Sequence, residues 1–399
     1  MPYRYWILAL LSISTVVNYL DRQALSIVVP TLRREMSLTS SEYGNITTAF
    51  LIAYSVGQII AGGVVDRIGT RLGLAIFVLV WSLAAIAHGF AQTATQFLFL
   101  RIVLGLGEAG NWPAGVKAVS EWFSKSERAF SMGVFDGGSA VGAILAPPLV
   151  AAIAIHFGWR ASFISIGLLG LVWLAFWLRF YRTSPSVIAS SASSSAAVWE
   201  ILRNGNLWGL MGTRMLATPV WWFYVFWLPD YLGKGRGMSL KDIGMFAWVP
   251  YVTVDLGKLI GGRLSDQLIR QGRSTMFARK AIMAGGAICM MGGLFVVEAG
   301  SAISALAWVS LATFGFGMWS ANILALHADL FDSSNIASAV GWSTAASSVG
   351  GAAFTWLTGR VVDSQGYAMV FTMAGTTALF AFAWLLFAVG KVERREVVA

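Results

Sequence analysis

Long apolar stretches alternate with short polar turns along the chain. About 20 apolar residues are needed to cross roughly 30 Å of hydrocarbon as a helix, and twelve stretches approach or exceed that length. A membrane β-barrel would instead alternate apolar and polar residues over about ten positions, a pattern the chain lacks. The pattern predicts an all-α membrane protein with spans at 4–30, 42–65, 73–91, 95–117, 129–156, 160–181, 205–232, 240–265, 276–299, 302–327, 334–360 and 367–390.

A Ser/Ala-rich segment divides the spans into two sets of six. Residues 182–198 read RTSPSVIASSASSSAAV, a composition typical of a flexible linker. An internal repeat supports the division, because GGVVDRIG at 62–69 is echoed by GGRLSDQL at 261–268. We predict two pseudo-symmetric six-helix bundles, residues 1–181 and 205–399, joined by a cytoplasmic linker over 182–204. Transporters use such repeats with the ligand site between the halves, near the midplane.

Composition and charge agree with a membrane location. Hydrophobic residues make up 57% of the 399 residues and charged residues 12%, with a net charge of +9. With both termini in the cytoplasm, inward loops hold about 17 Lys and Arg and outward loops about 7, as the positive-inside rule requires. Because these cations are scattered, they do not predict nucleic-acid binding. The single cysteine, Cys289, excludes an intrachain disulfide.

A few charged residues lie inside the spans, where each costs at least about 2.5 kcal/mol unless it is paired or functional. Asp21 and Arg22 are adjacent in span one and point about 100° apart, so they do not share a helix face. In span four, Arg101 and Glu108 share a face but lie two turns apart. Arg22 is therefore the natural partner of Glu108. The alternative is that Arg101 lies near a membrane face and pairs with Glu108 through water.

Three more charged residues lie inside the spans, and each has either a functional or a structural role. Asp136 in span five either lines a cavity or makes a structural hydrogen bond. Asp255 and Lys258 in span eight are spaced for a pair along the helix, and a purely structural pair is slightly favoured.

Aromatic and polar residues could contact a sugar. PVWWFYVFWLP in span seven contains Trp221 and Tyr224, which either pack in the bundle or lie against the apolar face of a sugar ring. Spans two and ten add hydrogen-bonding groups, among them Tyr54, Trp319, Ser320 and Asn322.

Enzymatic chemistry is not indicated. The three histidines are dispersed, and neither metal-ligand spacing, a serine-centred elbow nor a phosphate loop occurs. We therefore predict no enzyme, no metal and no cofactor.

The loop sequence GGVVDRIGTRLG resembles the motif between spans two and three of the major facilitator superfamily. The resemblance implies a gating loop in which Gly62, Asp66, Arg67, Gly69 and Arg71 take part. Thr70 stands where a basic residue is common, which implies a weaker charge network.

NYLDRQALS in span one and GEAGNWPAGVKAVSEWF in span four are similar to the anion:cation symporter family, and most resemble its hexuronate transporter branch. That branch takes up glucuronate and galacturonate with protons. The resemblance implies Arg22 as the carboxylate-binding group and Asp21 and Glu108 as proton-linked carboxylates. It places Tyr19, Tyr54, Arg101, Trp319 and Asn322 at or near the site.

Other residues are expected to read the sugar, and some depart from the family. We expect the amide of Asn111, the hydroxyl of Ser320 and a span-seven aromatic to contact the substrate. Thr218 replaces an Asp that relatives often carry, and Lys258 is unusual, so the exact substrate stays open.

The expected function is proton-coupled import of a sugar-acid anion by alternating access. We expect a monomer in a bacterial inner membrane, with the lipid bilayer, the anion and protons as its partners. Uptake of another organic anion, such as an aldonate, an aldarate or an aromatic acid, is the nearest alternative. A drug exporter is less favoured, because its cationic substrates would bind better in an acidic cavity that has no basic anion-binding group. A non-transporting membrane sensor would need a soluble signalling domain, for which about nine residues after the last span leave too little chain.

Overall fold

The computed structural model describes residues 3–124, 127–182, 201–331 and 336–390, and within them the regular elements are all helical. Most of the predicted linker lies outside these ranges. The helices are α1 (Tyr3–Met36), α2 (Ser40–Ile68), α3 (Thr70–His88), α4 (Ala94–Glu108), α5 (Asn111–Trp122), α6 (Arg128–Phe157), α7 (Trp159–Phe180), α8 (Gly205–Asp230), α9 (Leu240–Phe246), α10 (Val249–Arg270), α11 (Thr275–Met290), α12 (Ala302–Leu330), α13 (Ile336–Gln365) and α14 (Tyr367–Ala388).

Two predicted spans are each broken into two helices. Span four becomes α4 and α5, and span eight becomes α9 and α10. Pro113 lies in the first turn of α5 and Pro250 in the first turn of α10. A proline has no N–H to continue the preceding helix but is tolerated in the first turn of the next one. Each break therefore lies just before a proline.

Seven helices in the described part of the chain are long and apolar enough to cross a membrane, judged by length and composition. Twelve spans were predicted, and the break in span four explains part of the difference. Its two helices, α4 with 15 residues and α5 with 12, are each too short to cross a membrane alone. Read as continuous segments across their breaks, the helices still fall into six before the linker and six after it.

The chain divides into two compact units. Unit 1 comprises residues 1–190 together with the segments 225–249 and 355–364. Unit 2 comprises residues 191–224, 250–354 and 365–399. The division into bundles of residues 1–181 and 205–399 stays a prediction.

Within unit 1, a carboxylate from the late segment caps the start of α2. Asp363 accepts hydrogen bonds from the backbone N–H groups of Ser40 at 3.0 Å and Ser41 at 2.7 Å. These N–H groups have no partner inside the helix, and a negative charge is favoured at a helix N-terminus. Asp363 thus ties a distant segment of the chain to the beginning of α2.

Small residues let α1 and α6 approach closely. A Cβ added at Gly142 would lie 2.6 Å from the carbonyl oxygen of Val16 and 2.8 Å from the Cβ of Tyr19. Helices pack in membranes largely through such small residues. The approach fixes the face of α1 that carries Tyr19.

We expect Gly142→Ala to destabilise the protein by about 1–3 kcal/mol, because the added methyl meets backbone on α1. Gly137→Ala is the matched control, since a Cβ there has nothing within 4 Å. Alanine also suits a helix better than glycine, by about 1 kcal/mol. Thermal unfolding in detergent should therefore show a lower midpoint for the first variant and an equal or higher one for the second. Equal losses in both would contradict close packing at Gly142.

Candidate functional site

The centre of the candidate site is a buried ion pair between α1 and α4. Arg22 donates to Glu108 Oε2 from Nε at 3.1 Å and from Nη2 at 2.9 Å. The side chains are 2% and 0% exposed. Arg22 Nη2 also donates to Asn18 Oδ1 at 3.3 Å. Glu108 Oε1 has no hydrogen-bond partner among the described residues, so a single carboxylate oxygen carries the interaction.

Aromatic rings surround the guanidinium of Arg22. Its central carbon lies 4.6 Å from the ring centre of Tyr54, 4.9 Å from that of Tyr19 and 5.5 Å from that of Phe50. Phe50 and Tyr54 stack at 5.9 Å. Aromatic faces attract cations, and more strongly where water is excluded. The rings therefore stabilise Arg22 as a cation in a position where hydration is lost.

Asp21 and Arg101 form a second charged layer beside this pair. Asp21 is 1% exposed and Arg101 is 2% exposed, and they interact at Coulombic range. In the described chain, Asp21 Oδ2 and Arg101 Nε and Nη2 have no hydrogen-bond partner. The guanidinium of Arg101 lies 5.9 Å from the ring centre of Phe50, so this ring contacts two cations.

The close approach of α2 and α4 sets these distances. A Cβ added at Gly105 would lie 2.7 Å from the carbonyl oxygen of Phe50. Gly105 lies between Arg101 and Glu108 on one helix face, so α4 presents both charges to the aromatic rings of α2. Phe50 was not singled out from the sequence, because an apolar residue in an apolar span carries no signal.

Two further predicted residues of unit 1 lie on α5 and α6. Asn111 is fully buried, accepting from Ser14 Oγ at 2.9 Å and donating to Thr15 Oγ1 at 3.2 Å. These bonds tie α5 to α1. Asp136 on α6 is exposed. Their contact with a substrate stays a prediction.

Three of the aromatic residues predicted at the sugar site, Trp221, Tyr224 and Trp319, belong to unit 2. Trp221 stacks on Phe316 with ring centres 5.6 Å apart. Tyr224 and Trp319 are each 1% exposed, and within the described chain the Oη of the former and the Nε1 of the latter have no hydrogen-bond partner. Tyr224 and Trp319 therefore each carry a polar atom that is buried among aromatic rings without a hydrogen-bond partner in the described chain.

The polar residues of α12 have different surroundings. Asn322 is buried and donates to the carbonyl oxygen of Met318 at 2.9 Å, and Ser320 is half-buried. Their role at a substrate site stays a prediction, as it does for the unit 2 rings.

Three charged residues of the later spans, Asp255, Lys258 and Arg214, have polar partners. Lys258 donates to Asp255 at 2.7 Å, the i,i+3 pair that their spacing favours. Arg214 donates to Ser343 Oγ at 3.1 Å and Thr344 Oγ1 at 3.0 Å. Arg214 lies within predicted span seven, and its hydroxyl partners carry no signal in the sequence pattern.

The loop motif closes a tight turn between α2 and α3. Gly69 has φ +85° and its N–H donates to the carbonyl oxygen of Val65. Asp66 pairs with Lys117 at 2.9 Å. Thr70 donates to Glu121 at 2.6 Å, so a hydroxyl takes the place of the basic side chain that is common there. Of the remaining motif residues, Arg71 donates to the carbonyl oxygen of Leu178, while Gly62 is half-buried and Arg67 exposed.

The echo of this motif in unit 2 has a related network. Arg279 binds Asp266 at 2.9 Å and Asp329 at 3.1 Å. Asp266 and Asp66 are the matched acidic residues of the repeat, and each binds a cation from another helix.

We expect Glu108→Leu to destabilise the protein by about 3–5 kcal/mol, because it leaves Arg22 as an uncompensated buried charge. The double variant Arg22→Met/Glu108→Leu should lose much less, since both charges are removed. Thermal unfolding of the wild type, both single variants and the double variant gives the coupling. If the double variant lost as much stability as the two single variants together, the pairing of Arg22 with Glu108 would be contradicted.

Comparison with known proteins identifies the family. The model of the Major Facilitator Superfamily matches residues 11–355. The hexuronate transporter of Escherichia coli (strain K12) is 31% identical over 393 residues, covering 93% of this chain and 90% of the relative. The galacturonate transporter of Dickeya chrysanthemi is 33% identical over 315 residues, covering 73% and 91%.

A solved structure shows the same fold. It is a bacterial homologue of the human lysosomal transporter Spinster, with a TM-score of 0.81 at 16% identity, covering 98% of this chain and 96% of that one. The predicted all-α membrane fold is confirmed. The chain therefore belongs to the Major Facilitator Superfamily, a family of multi-pass membrane transporters, and is not an enzyme.

Proposed function

We propose that this protein imports a hexuronate, such as glucuronate or galacturonate, together with one or more protons by alternating access. The observation that carries the proposal is the buried pair of Arg22 and Glu108, 2.9 Å apart. It combines an anion-binding group with a carboxylate that can take a proton. The hexuronate and galacturonate transporters among its relatives support the substrate class.

In the substrate-free state, ionised Glu108 holds Arg22. Each charge alone would be costly where both side chains are almost out of contact with solvent. The two hydrogen bonds from Arg22 to Glu108 both end on Oε2, while Oε1 has no partner among the described residues. Oε1 is therefore the oxygen at which a proton can be added without first breaking a bond.

Protonation of Glu108 weakens the pair and makes the guanidinium available. The planar fork of Arg22 then binds the substrate carboxylate through two parallel N–H bonds. Binding follows protonation, and the two are released together on the other side. Asp21, the residue before Arg22 in the chain, is a second proton site in this scheme.

The remaining parts of the sugar are read by neutral groups. The rings of Tyr19 and Tyr54 flank Arg22 and offer apolar faces to the sugar's C–H groups. We further propose, as an extension of the family resemblance, that Trp221, Tyr224, Trp319, Ser320, Asn322 and Asn111 contribute to substrate recognition. The bacterial transporters among its relatives support a bacterial inner-membrane location, and the loop charges favour an orientation with both termini cytoplasmic.

A second candidate substrate is an aldarate, which has two carboxylates. Arg101 favours it, because this cation is buried beside the same Phe50 ring as Arg22 and, among the described residues, its Nε and Nη2 have no partner.

Proteoliposome uptake of radiolabelled glucuronate, galacturonate and galactarate, with and without an imposed pH gradient, separates the two candidates and tests the coupling. Absence of uptake for all three would overturn the proposal.

We expect Glu108→Gln to abolish accumulation driven by a pH gradient and to keep counterflow exchange, because glutamine mimics the protonated acid but cannot release a proton. Uptake and counterflow in proteoliposomes measure the two activities. Glu298→Gln, a change at an exposed carboxylate, is the control and should keep both activities. Uphill uptake by the Glu108 variant would remove this residue from coupling.

We expect Arg22→Lys to weaken hexuronate binding at least about tenfold, because a lysine is a point charge without the bidentate fork. Isothermal titration in detergent measures the affinity. Arg273→Lys, at an exposed loop position, is the control and should bind as the wild type does. Unchanged affinity in the Arg22 variant would exclude it from the binding site.

A further inference from the structure

An open cavity of about 710 Å³ lies within unit 1, away from the Arg22 pair. Its lining comes from two segments, 30–38 at the end of α1 and 233–240 before and into α9. The loop charges place both segments on the outer side of the membrane. The volume falls within the range of sites for small molecules.

The lining of this cavity is cationic. Arg33, Arg34 and Lys234 contribute to it, and no Asp or Glu does. Arg33 is already neutralised, because its Nε and Nη2 donate to the two oxygens of Asp230 at 2.7 and 2.8 Å. Arg34 and Lys234 are exposed and have no salt-bridge partner among the described residues. The cavity thus presents two unneutralised cations.

Two carboxylates within or close to these segments are engaged elsewhere. Glu35 accepts from Trp159 Nε1 at 2.7 Å and lies 3.6 Å from Arg160. Asp242 accepts from Ser239 Oγ at 2.6 Å, in the capping box of α9. Neither is positioned as a partner of the two cations, so the positive potential of the cavity is not cancelled.

The position of these cations is unusual for outward segments. The positive-inside rule leaves only about seven Lys and Arg on the outer side. Five of them fall in the two segments 31–41 and 233–241, which hold Arg33, Arg34, Lys234, Arg236 and Lys241. A general topological signal does not require this concentration. A cleft of one charge sign raises the local concentration of oppositely charged molecules and their rate of association.

The two segments that line the cavity contact each other at one edge. A Cβ on Gly233 would lie 2.9 Å from Pro30, so the two segments touch at one edge through a residue without a side chain. Arg33 Nη1 donates to the carbonyl oxygen of Leu38 at 2.8 Å, which fixes the turn after α1. Arg34 and Lys234 therefore belong to two segments that contact each other.

We infer that this cavity is an outer docking site for the anionic substrate, where Arg34 and Lys234 capture the carboxylate of a sugar acid before it reaches Arg22. The inference rests on the proposed function for the identity of the anion. Docking here raises the rate of capture from the outside and leaves the later transport steps unchanged.

The test is uptake of radiolabelled glucuronate by the double variant Arg34→Gln/Lys234→Gln. We expect KM to rise at least about threefold at 10 mM ionic strength with little change in the maximal rate, because steering acts over a Debye length of about 30 Å there. The rise should shrink at 150 mM. The control Arg270→Gln/Arg273→Gln removes two exposed cations from a loop assigned to the cytoplasmic side and should keep the wild-type KM. An unchanged KM and salt dependence in the first variant would overturn the docking site.

A binding measurement separates this inference from the proposed function. In a Cys289→Ser background, Ser37→Cys is labelled with an environment-sensitive fluorophore at the exposed edge of the cavity. Glucuronate, but not uncharged glucose, should change the fluorescence, and the double variant should lose the response. A response without any hexuronate uptake by the wild type would overturn the proposed function and keep the docking site. Equal responses to glucuronate and glucose would overturn the docking site.

An anionic lipid headgroup is the other source of a charge that fits this cavity. The KM effect should be the same in vesicles of phosphatidylcholine alone and in vesicles that contain phosphatidylglycerol. An effect confined to vesicles with the anionic lipid would assign the cavity to the headgroup and overturn substrate docking.

Discussion

The buried ion pair of Arg22 with Glu108 constrains the positions of the helices around it in unit 1. Two charges almost out of contact with solvent remain favourable only at hydrogen-bond distance, so α1 and α4 must keep their relative position. Gly142 lets α6 approach α1, and Gly105 lets α4 approach α2. The small residues therefore serve the placement of the charges as well as the packing of the helices.

The sequence was sufficient to predict the spans and the partner of Glu108, because each depends on a physical cost. Apolar length follows from membrane thickness, and a charge within a span must find a partner. The spacing of Arg101 and Glu108 disfavoured a direct pair along α4, which made Arg22 the favoured partner and a water-mediated pair with Arg101 the alternative. The break before Pro250 was missed because apolar composition continues through FAWVP at 246–250, and the break before Pro113 was missed although EAGNWP at 108–113 contains Gly, Asn and Pro. Phe50 was missed because its importance comes from its neighbours.

The two copies of the loop repeat show how far an internal echo predicts contacts. Asp66 and Asp266 each bind a cation, as a shared ancestry of the loops would lead one to expect. The partners differ, however: Lys117 comes from α5 and Arg279 from α11. Matching residues thus predict the kind of interaction, while the identity of the partner depends on side chains that the repeat does not include.

The hydrogen bonds from Ser40 and Ser41 to Asp363 have a consequence for biosynthesis. The residues at the two ends of the first bond are 323 positions apart in the chain. A ribosome releases the N-terminal helices long before it reaches α13, and domains generally fold in the order of their synthesis. During that interval the start of α2 has its local capping box of Thr39 and Glu42 but lacks Asp363, and unit 1 lacks two of its segments. Assembly of this unit is therefore completed only when nearly the whole chain has entered the membrane.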